Sequence, residues 1–453
     1  MIHWFLVLAL LAQSPTTAIL DRIEADLAEL RTLLTTPDPP EPTETIYFVP
    51  AGENLTDALA FVPDNGIVEL EQGAFYVGPV TIRKPVTIRT QGWGPPPVAV
   101  TLAVITSPSQ QVAVIIEAPN VTLRGIEITG NCNDCVTPRP TASDWLLDAV
   151  YIHGDPVLGA KRGLTLNGSG ILRDSVITDI FRVGQESQGI GGWEGGPYRI
   201  ERNLIEAASI NMLVGGADPS SDAAHPHDLT VVGNTFRKKL EWRGRGYAVK
   251  NLLELKIMRR ATIADNLLEY SWVDGQLGWG AVFSVRNQSG TAPYSTIEDV
   301  VFERNIIRHV AGGISILGQD DINPSQRLRN LTIRNNTFED INRTTWGTNG
   351  RAIQIARGSE NLILDGNTVR GGNVHSFLFF TSGTTFPNVG MQVTNHTATE
   401  GRYGIFGDGN VGFGVNALAV YAPGVTWTNV TLERNPASYQ PQTYPAGTTI
   451  VTP

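Results

Sequence analysis

Short runs of alternating apolar and polar residues follow one another along most of this chain, and one of them keeps returning. In LTIRNNTF, residues 331–338, Leu331 and Ile333 alternate with Thr332 and Arg334, Asn336 takes the sixth place and Phe338 the eighth. Near-copies put Asn203, Asn234, Asn266, Asn305, Asn367 and Asn435 in the sixth place, and looser copies put Gln91, Ile126, Ser175 and Asn395 there. From Asn203 onward the steps between these places are 31, 32, 39, 31, 31, 28 and 40 residues. A self-similar period of this size marks a repeat architecture. The alternation within each copy is that of a short strand with one buried face, and two or three such strands fill a period. The repeat is therefore β. No amphipathic helix recurs with it, which excludes tetratricopeptide and leucine-rich repeats, and no Trp-Asp pair of a propeller blade recurs.

Coils stacked at the strand spacing bring each Asn over the next at roughly 4.8 Å, where side-chain amides hydrogen-bond along a column. A buried amide without such a partner costs about 1–3 kcal/mol. On these residues the chain resembles the right-handed parallel β-helix proteins of the pectin-lyase-like superfamily, over about residues 46–440. The resemblance implies an all-β solenoid of roughly ten coils, one domain over residues 46–453. Leu55, Ala58 and Leu59 predict a short helix that plugs its N-terminal end.

Ahead of the repeat, Trp4 to Ala12 is an unbroken apolar run, followed by Thr16, Thr17 and Ala18. This reads as a signal peptide over residues 1–18, and hence as a secreted or cell-surface protein; the run is too short to span a bilayer. Leu20, Ile23, Leu27, Leu30 and Leu34 give two heptads within residues 19–36. They either join chains into a homo-oligomer or form a helix lying on the domain. A Pro-rich linker follows over residues 37–45.

The net charge of −10 argues against non-specific binding to nucleic acid or to an anionic membrane. One stretch runs the other way. From Arg237 to Arg260 the chain carries Arg237, Lys238, Lys239, Arg243, Arg245, Lys250, Lys256, Arg259 and Arg260 against Glu241 and Glu254, which predicts a basic patch. Cys132 and Cys135 are the two cysteines; in an exported protein they form a local disulfide or stay as free thiols. Asp218, Asp222, His225, His227 and Asp228 gather in one loop, whose spacing reads as solvated turn and not as a metal motif.

A second recurrent strand lies between the Asn positions. Within it Glu254 and Lys256 point outward, with Ser284 and Arg286 expected one coil on, followed by Ser315 and Gln354. Two cations about 5 Å apart repel by roughly 1 kcal/mol in water, so an anion is expected between Lys256 and Arg286: Glu254 or a ligand. Glu254, Lys256 and Arg286 loosely resemble the pattern of polysaccharide lyases of the alginate-lyase and chondroitinase-B type. That resemblance implies β-elimination of an acidic, uronate-containing polysaccharide, with Lys256 as base, Arg286 as acid and Glu254 as a ligand of calcium. Lys250, Arg243, Arg245 and Gln354 are expected substrate contacts, with Trp272 and Trp279 stacking on sugar rings. Two other readings stay open: a salt-bridge ladder on a solvated sheet, and a non-catalytic solenoid that binds glycans or serves as a surface or adhesion module. Asp320 and Asp321 read as turn formers and not as the carboxylate pair of a hydrolase.

Overall fold

Each period folds into three short strands, one on each of three sheets. The coil built on LTIRNNTF runs through Arg329–Arg334 in sheet A, Thr337–Ile341 in sheet B and Arg351–Ala356 in sheet C. The computed structural model describes residues 45–452 apart from 95–99, 348–349, 383–384 and 435–440. Within them sheets A, B and C hold 14, 14 and 13 strands, and from Gly66–Leu70 to Ile405–Gly407 the chain visits them in that order on every coil. The pairing is parallel throughout, except for one antiparallel pair near the C-terminal end of sheet C. This is a right-handed parallel β-helix, the hand that crossovers between parallel strands take. The expected signal peptide, the heptads and the expected linker up to residue 44 lie outside the described residues.

Alternation decides which side chains fill the interior. Ile333 stacks over Phe302 and under Leu364, and Leu331, Phe338, Ile353 and Ile355 are buried with it. Each such side chain contributes about 1.5–3 kcal/mol on burial. Between sheets A and B the chain turns in two residues. The first is left-handed, with φ of 55° at Arg202, 58° at Asp265, 53° at Arg304 and 54° at Asn335. The second is the ladder residue. Asn203 Nδ2 donates to Asn234 Oδ1 at 2.9 Å, and the same bond repeats at 3.0, 2.9, 3.1 and 2.9 Å through Asn266, Asn305 and Asn336 to Asn367. The backbone N–H of each rung up to Asn336 also donates to the next Oδ1, which gives a buried turn the partner it needs.

Of the looser copies, the column keeps Ile126 and Ser175 and drops Gln91 and Asn395. Ser175 joins it below Asn203, and His396 closes it beyond Asn367 with its Nε2 3.4 Å from the Asn367 amide. Asn395 stands one place earlier, exposed at the left-handed turn, and donates to Asp365. Gln91 falls in a loop, and Ala103 pairs with Ile126 at the ladder place. Asn435 lies outside the described residues; the strand before it, Val430–Glu433, belongs to sheet B, where Val430 follows the turn. Ile126 stands at the ladder place that its looser copy gave it, while Ala103 takes that place in the coil of Gln91 and Val150 takes it in a coil for which no copy was read.

Both ends are plugged. Helix α1, Leu55–Phe61, buries Leu55 and Leu59, and Asn54 caps it by accepting from the Thr56 and Asp57 amides. Helix α2, Val415–Tyr421, buries Ala417, Leu418 and Tyr421 at the other end; the sequence pattern did not reveal it. No described helix is long and apolar enough to cross a membrane. Cys132 and Cys135 are free and fully buried in the core, in place of the expected disulfide. They pack there as small apolar side chains.

Candidate functional site

The outer face of sheet C carries the residues singled out in the sequence, in a different register. Along it Leu213, Glu254, Val282, Ser315, Gln354 and Phe379 stand side by side. Glu254 therefore faces Val282 and not Ser284, and Arg286 lies two residues further along than expected. A two-residue slip preserves which side chains point outward, so alternation cannot detect it. Arg286 stays on the same face as Lys256, and its backbone N–H donates to the Lys256 carbonyl at 3.0 Å.

Glu254 is 5% exposed. Its Oε2 accepts from Asn251 Nδ2 at 3.1 Å, and its Oε1 lies 3.7 Å from Lys256 Nζ. Asn251 also donates to Gln276 Oε1 at 3.0 Å. Gly215, with φ +119°, makes room for the lysine: a Cβ there would stand 2.5 Å from that of Lys256. On the other side of Lys256 a second chain of contacts runs over earlier coils. Lys250 pairs with Glu186, Gln188 Nε2 donates to Glu186 Oε1 at 2.7 Å, and Arg162 bridges Gln188 and Asp134 at 2.9 Å each. Burial pushes the Glu186 carboxyl up, but the hydrogen bonds from Lys250 and Gln188 and the charges of Lys250 and Lys256 outweigh it and hold it low. Glu186, Gln188, Arg162, Asn251 and Gln276 escaped the sequence reading; Glu186 sits in an irregular turn, where period carries no signal.

Arg286 is held by Asp320, at 3.2 Å, and by Asp321. Asp320 is a turn former, as expected: it accepts from the Asn287, Ile322 and Asn323 backbones. Burial raises its carboxyl, and those three bonds with the charge of Arg286 bring it below the usual range. Gln354 donates to Ser315 Oγ at 3.2 Å. Beyond it Arg351 lies 3.6 Å from the Phe379 ring, and Phe406 packs on Phe379, Tyr403 and Phe413 with centroids 5.0, 5.4 and 5.3 Å apart. Tyr403, Phe406 and Phe413 are partly exposed and form an aromatic end to this face.

Three expectations are corrected. Trp272 and Trp279 are 2% and 4% exposed, so neither offers a ring to a ligand. Trp272 packs with Trp242, Trp346 and Phe181 in a small second core under the loops, and Trp279 covers Gly312. Arg243 is committed to that core, 5.9 and 5.6 Å from the Trp272 and Trp346 rings, and donates to the Thr345 carbonyl. Arg245 is exposed and bonds the Glu241 carbonyl. Nor does the basic stretch form a patch. It spans most of a coil and distributes its charges around the prism: Arg237 and Lys239 pair with Glu206 and Asp179 on sheet B, Arg259 and Arg260 with Asp222 and Asp228 at sheet A, and Lys250 and Lys256 with Glu186 and Glu254 on sheet C. Lys238 is buried, its ammonium on the carbonyls of Ala207, Ser209 and Asn251 and on Asn211 Oδ1.

Both Glu254 oxygens face donors, and among the described residues no group of three or more His, Cys, Asp or Glu is placed to hold a metal. The loop of Asp218, His225 and Asp228 is structural. Asp218 ties down the Ser289 and Thr291 amides, and His225 is buried.

No family model matches the sequence, and no curated protein does. Solved structures do. The PL6 family alginate lyase AlyGC aligns with a TM-score of 0.47 at 12% identity, over 90% of this chain and 53% of its own. The Dettilon tailspike protein gp208 aligns with a TM-score of 0.45 at 15% identity, over 85% and 62%. The A-module of the Azotobacter vinelandii mannuronan C-5 epimerase AlgE4 aligns with a TM-score of 0.41 at 11% identity, over 85% and 91%. The chain thus spans less than two thirds of the first two proteins. By the register of its own three sheets, it is a right-handed parallel β-helix.

Proposed function

We propose that the outer face of sheet C binds an acidic, uronate-containing polysaccharide and cleaves it by β-elimination. The observation that carries the reading is the position of Lys256. Its ammonium makes no hydrogen bond among the described residues, its carboxylate partner standing at 3.7 Å, while the next cation, Arg286, projects from the adjoining coil. The reaction assigns each group a task. The neutral Lys256 amine takes the C5 proton, the electron pair forms the C4–C5 double bond, and the C4–O4 bond breaks. A guanidinium keeps its proton, so Arg286 stabilises charge on the leaving oxygen while water supplies the proton. Lys250, ion-paired with Glu186 at rest, is the cation assigned to the uronate carboxylate. No step runs through a metal. Such a protein meets its polymer as a secreted or cell-surface molecule, in keeping with the apolar run at Trp4 to Ala12.

The test is incubation with alginate, pectate and chondroitin sulfate while the ultraviolet absorbance of the unsaturated product is followed. Product is expected from one of them. Lys256→Ala should lower the rate at least about a hundredfold, the scale of general-base catalysis. Silence on all three polymers ends the elimination reading. Binding without product would support the second reading, a non-catalytic glycan-binding or surface solenoid, which the rings of Tyr403, Phe406 and Phe413 favour.

A further inference from the structure

A cleft of about 620 Å³ opens on a different face, the outside of sheet B. Its floor is the row Val176 and Leu204, partly exposed apolar side chains on neighbouring coils. Tyr151 and Tyr270 line it on coils four strands apart in the sheet, roughly 19 Å along the axis at the strand spacing. That is the span of a short oligosaccharide. Neither ring hangs loose. Tyr151 stacks on His153 at 4.4 Å, and His153 is fixed by Glu127 at 3.0 Å and Thr129 at 3.1 Å. Tyr270 stacks on His309 at 5.2 Å, and His309 is fixed by Asp340 at 2.9 Å. On the side toward sheet C the wall is Leu240, an exposed apolar residue of the Lys239–Arg243 loop.

The polar groups between the rings are held in place as well. The pairing of Val176–Ile180 with Leu204–Ala207 shifts between Ile177 and Ile180. Such an irregularity re-aims side chains, and here both Thr178 and Asp179 come to face the region of Glu206. Thr178 Oγ1 donates to Glu206 Oε2 at 2.5 Å, Arg237 Nε donates to Glu206 Oε1 at 2.6 Å, and Lys239 Nζ stands 2.7 Å from Asp179 and 3.8 Å from Glu206. Two carboxylates and two cations thus meet at the centre, Glu241 adds a third carboxylate to the lining, and Lys238 turns its ammonium away into the core, so the cleft has no excess of positive charge. A polyanion gains nothing from such a centre. A neutral sugar does: its hydroxyls both donate and accept, matching carboxylates and cations held at fixed positions, while its apolar faces lie on rings. Hydrolysis of a glycosidic bond asks one of two carboxylic groups to carry a proton, whereas Asp179 and Glu206 are both ion-paired, an arrangement suited to holding a sugar and not to cutting it.

We propose that this cleft is a second, non-catalytic binding site for a neutral oligosaccharide, with Tyr151 and Tyr270 as stacking platforms and Asp179, Arg237 and Lys239 as hydroxyl partners. The experiment is titration calorimetry of the full chain with neutral hexasaccharides of glucose, galactose and mannose, and with an alginate hexasaccharide as the acidic control. One neutral probe should bind. Tyr151→Ala and Tyr270→Ala should each weaken it about tenfold, the effect of losing one stacked ring, while Tyr151→Phe, which keeps the ring, should bind within about twofold of the parent. Lys256→Ala should leave neutral-sugar affinity unchanged, which separates this site from the face of sheet C. Circular dichroism melts establish that each variant folds. The proposal is overturned if no neutral hexasaccharide binds, if only the acidic probe does, or if binding survives both alanine substitutions in folded protein.

Discussion

Asn305 shows at the scale of one residue how the coils are held in step. Its Oδ1 accepts from both the backbone N–H and the Nδ2 of Asn266, at 3.0 and 2.9 Å, and its own Nδ2 donates to the Ile263 carbonyl and to Asn336 Oδ1. Asn305→Ala would strand the buried backbone N–H of Asn266, whose Nδ2 keeps the Val231 and Ala264 carbonyls, and would take a donor from the Ile263 carbonyl. Each stranded group costs about 1–3 kcal/mol, so the urea midpoint should fall well below that of Asn330→Ala. Asn330 belongs to an exposed amide pairing, with Asp299 and Asn361, where water replaces a lost partner. Equal midpoints for the two variants would mean that the buried ladder adds no more than surface amides do. The ladder is also where sequence reading succeeds at this scale. A side chain whose hydrogen bonds close only onto its own copy must recur once per coil, and Asn203, Asn234, Asn266, Asn305, Asn336 and Asn367 do. Trp272 shows the limit: a tryptophan in a loop looks the same whether its ring meets solvent or another loop.

At the scale of the element, the last described rung brings a dependence on pH. His396 takes the ladder place where earlier coils have Asn, and burial lowers its imidazole to about 4, only partly opposed by the Leu364 backbone and the charge of Asp365. His225 and His375 are likewise lowered to about 4, first by burial. A histidine lowered in the fold is neutral there and takes up a proton on unfolding. Its stabilisation is complete above about 6.5, and it is lost as pH falls from there through about 4. For His396 the loss amounts to about 3 kcal/mol. Unfolding free energy by urea titration should therefore decline between pH 7 and 4, and His396→Asn, which continues the amide column, should flatten part of that decline. An unchanged slope in this variant would show that His396 does not titrate with folding. The strands of sheet C teach a related lesson about elements. Leu253–Leu255 and Trp279–Ser284 were legible as strands, and their outward residues as outward, but their mutual register was not, because it depends on where the intervening loop sets the strand down.

At the scale of the whole molecule, each coil rests on its two neighbours, and only the ends need covers. Such a stack fails locally. Leu418→Asp would place a charge under helix α2, where Leu418 is 4% exposed. Hydrogen exchange should quicken in the terminal strands Gln392–Thr394 and Thr426–Thr428 and stay unchanged around Gly170–Arg173. Acceleration along the full length would show one cooperative unit in place of a stack. The same architecture separates functions by face. Sheet C gathers Glu186, Lys250, Glu254, Lys256 and Arg286, while sheet B gathers Asp179, Glu206, Arg237 and Lys239, although Arg237 and Lys256 belong to one unbroken stretch of sequence.

Alternation and the thirty-residue period were enough, by themselves, to establish a β-solenoid and its amide column, because those features are set by residues that repeat the same local interactions on every coil; the plug at its N-terminal end was legible from the local helical spacing of Leu55, Ala58 and Leu59. Register between coils, the scattering of the basic stretch over three faces, the burial of Trp272 and Trp279, and the meeting of Glu186 with Lys250 were decided by the tertiary structure. These depend on how far each loop carries the chain around the axis, a distance that loop length sets and that no periodic pattern records.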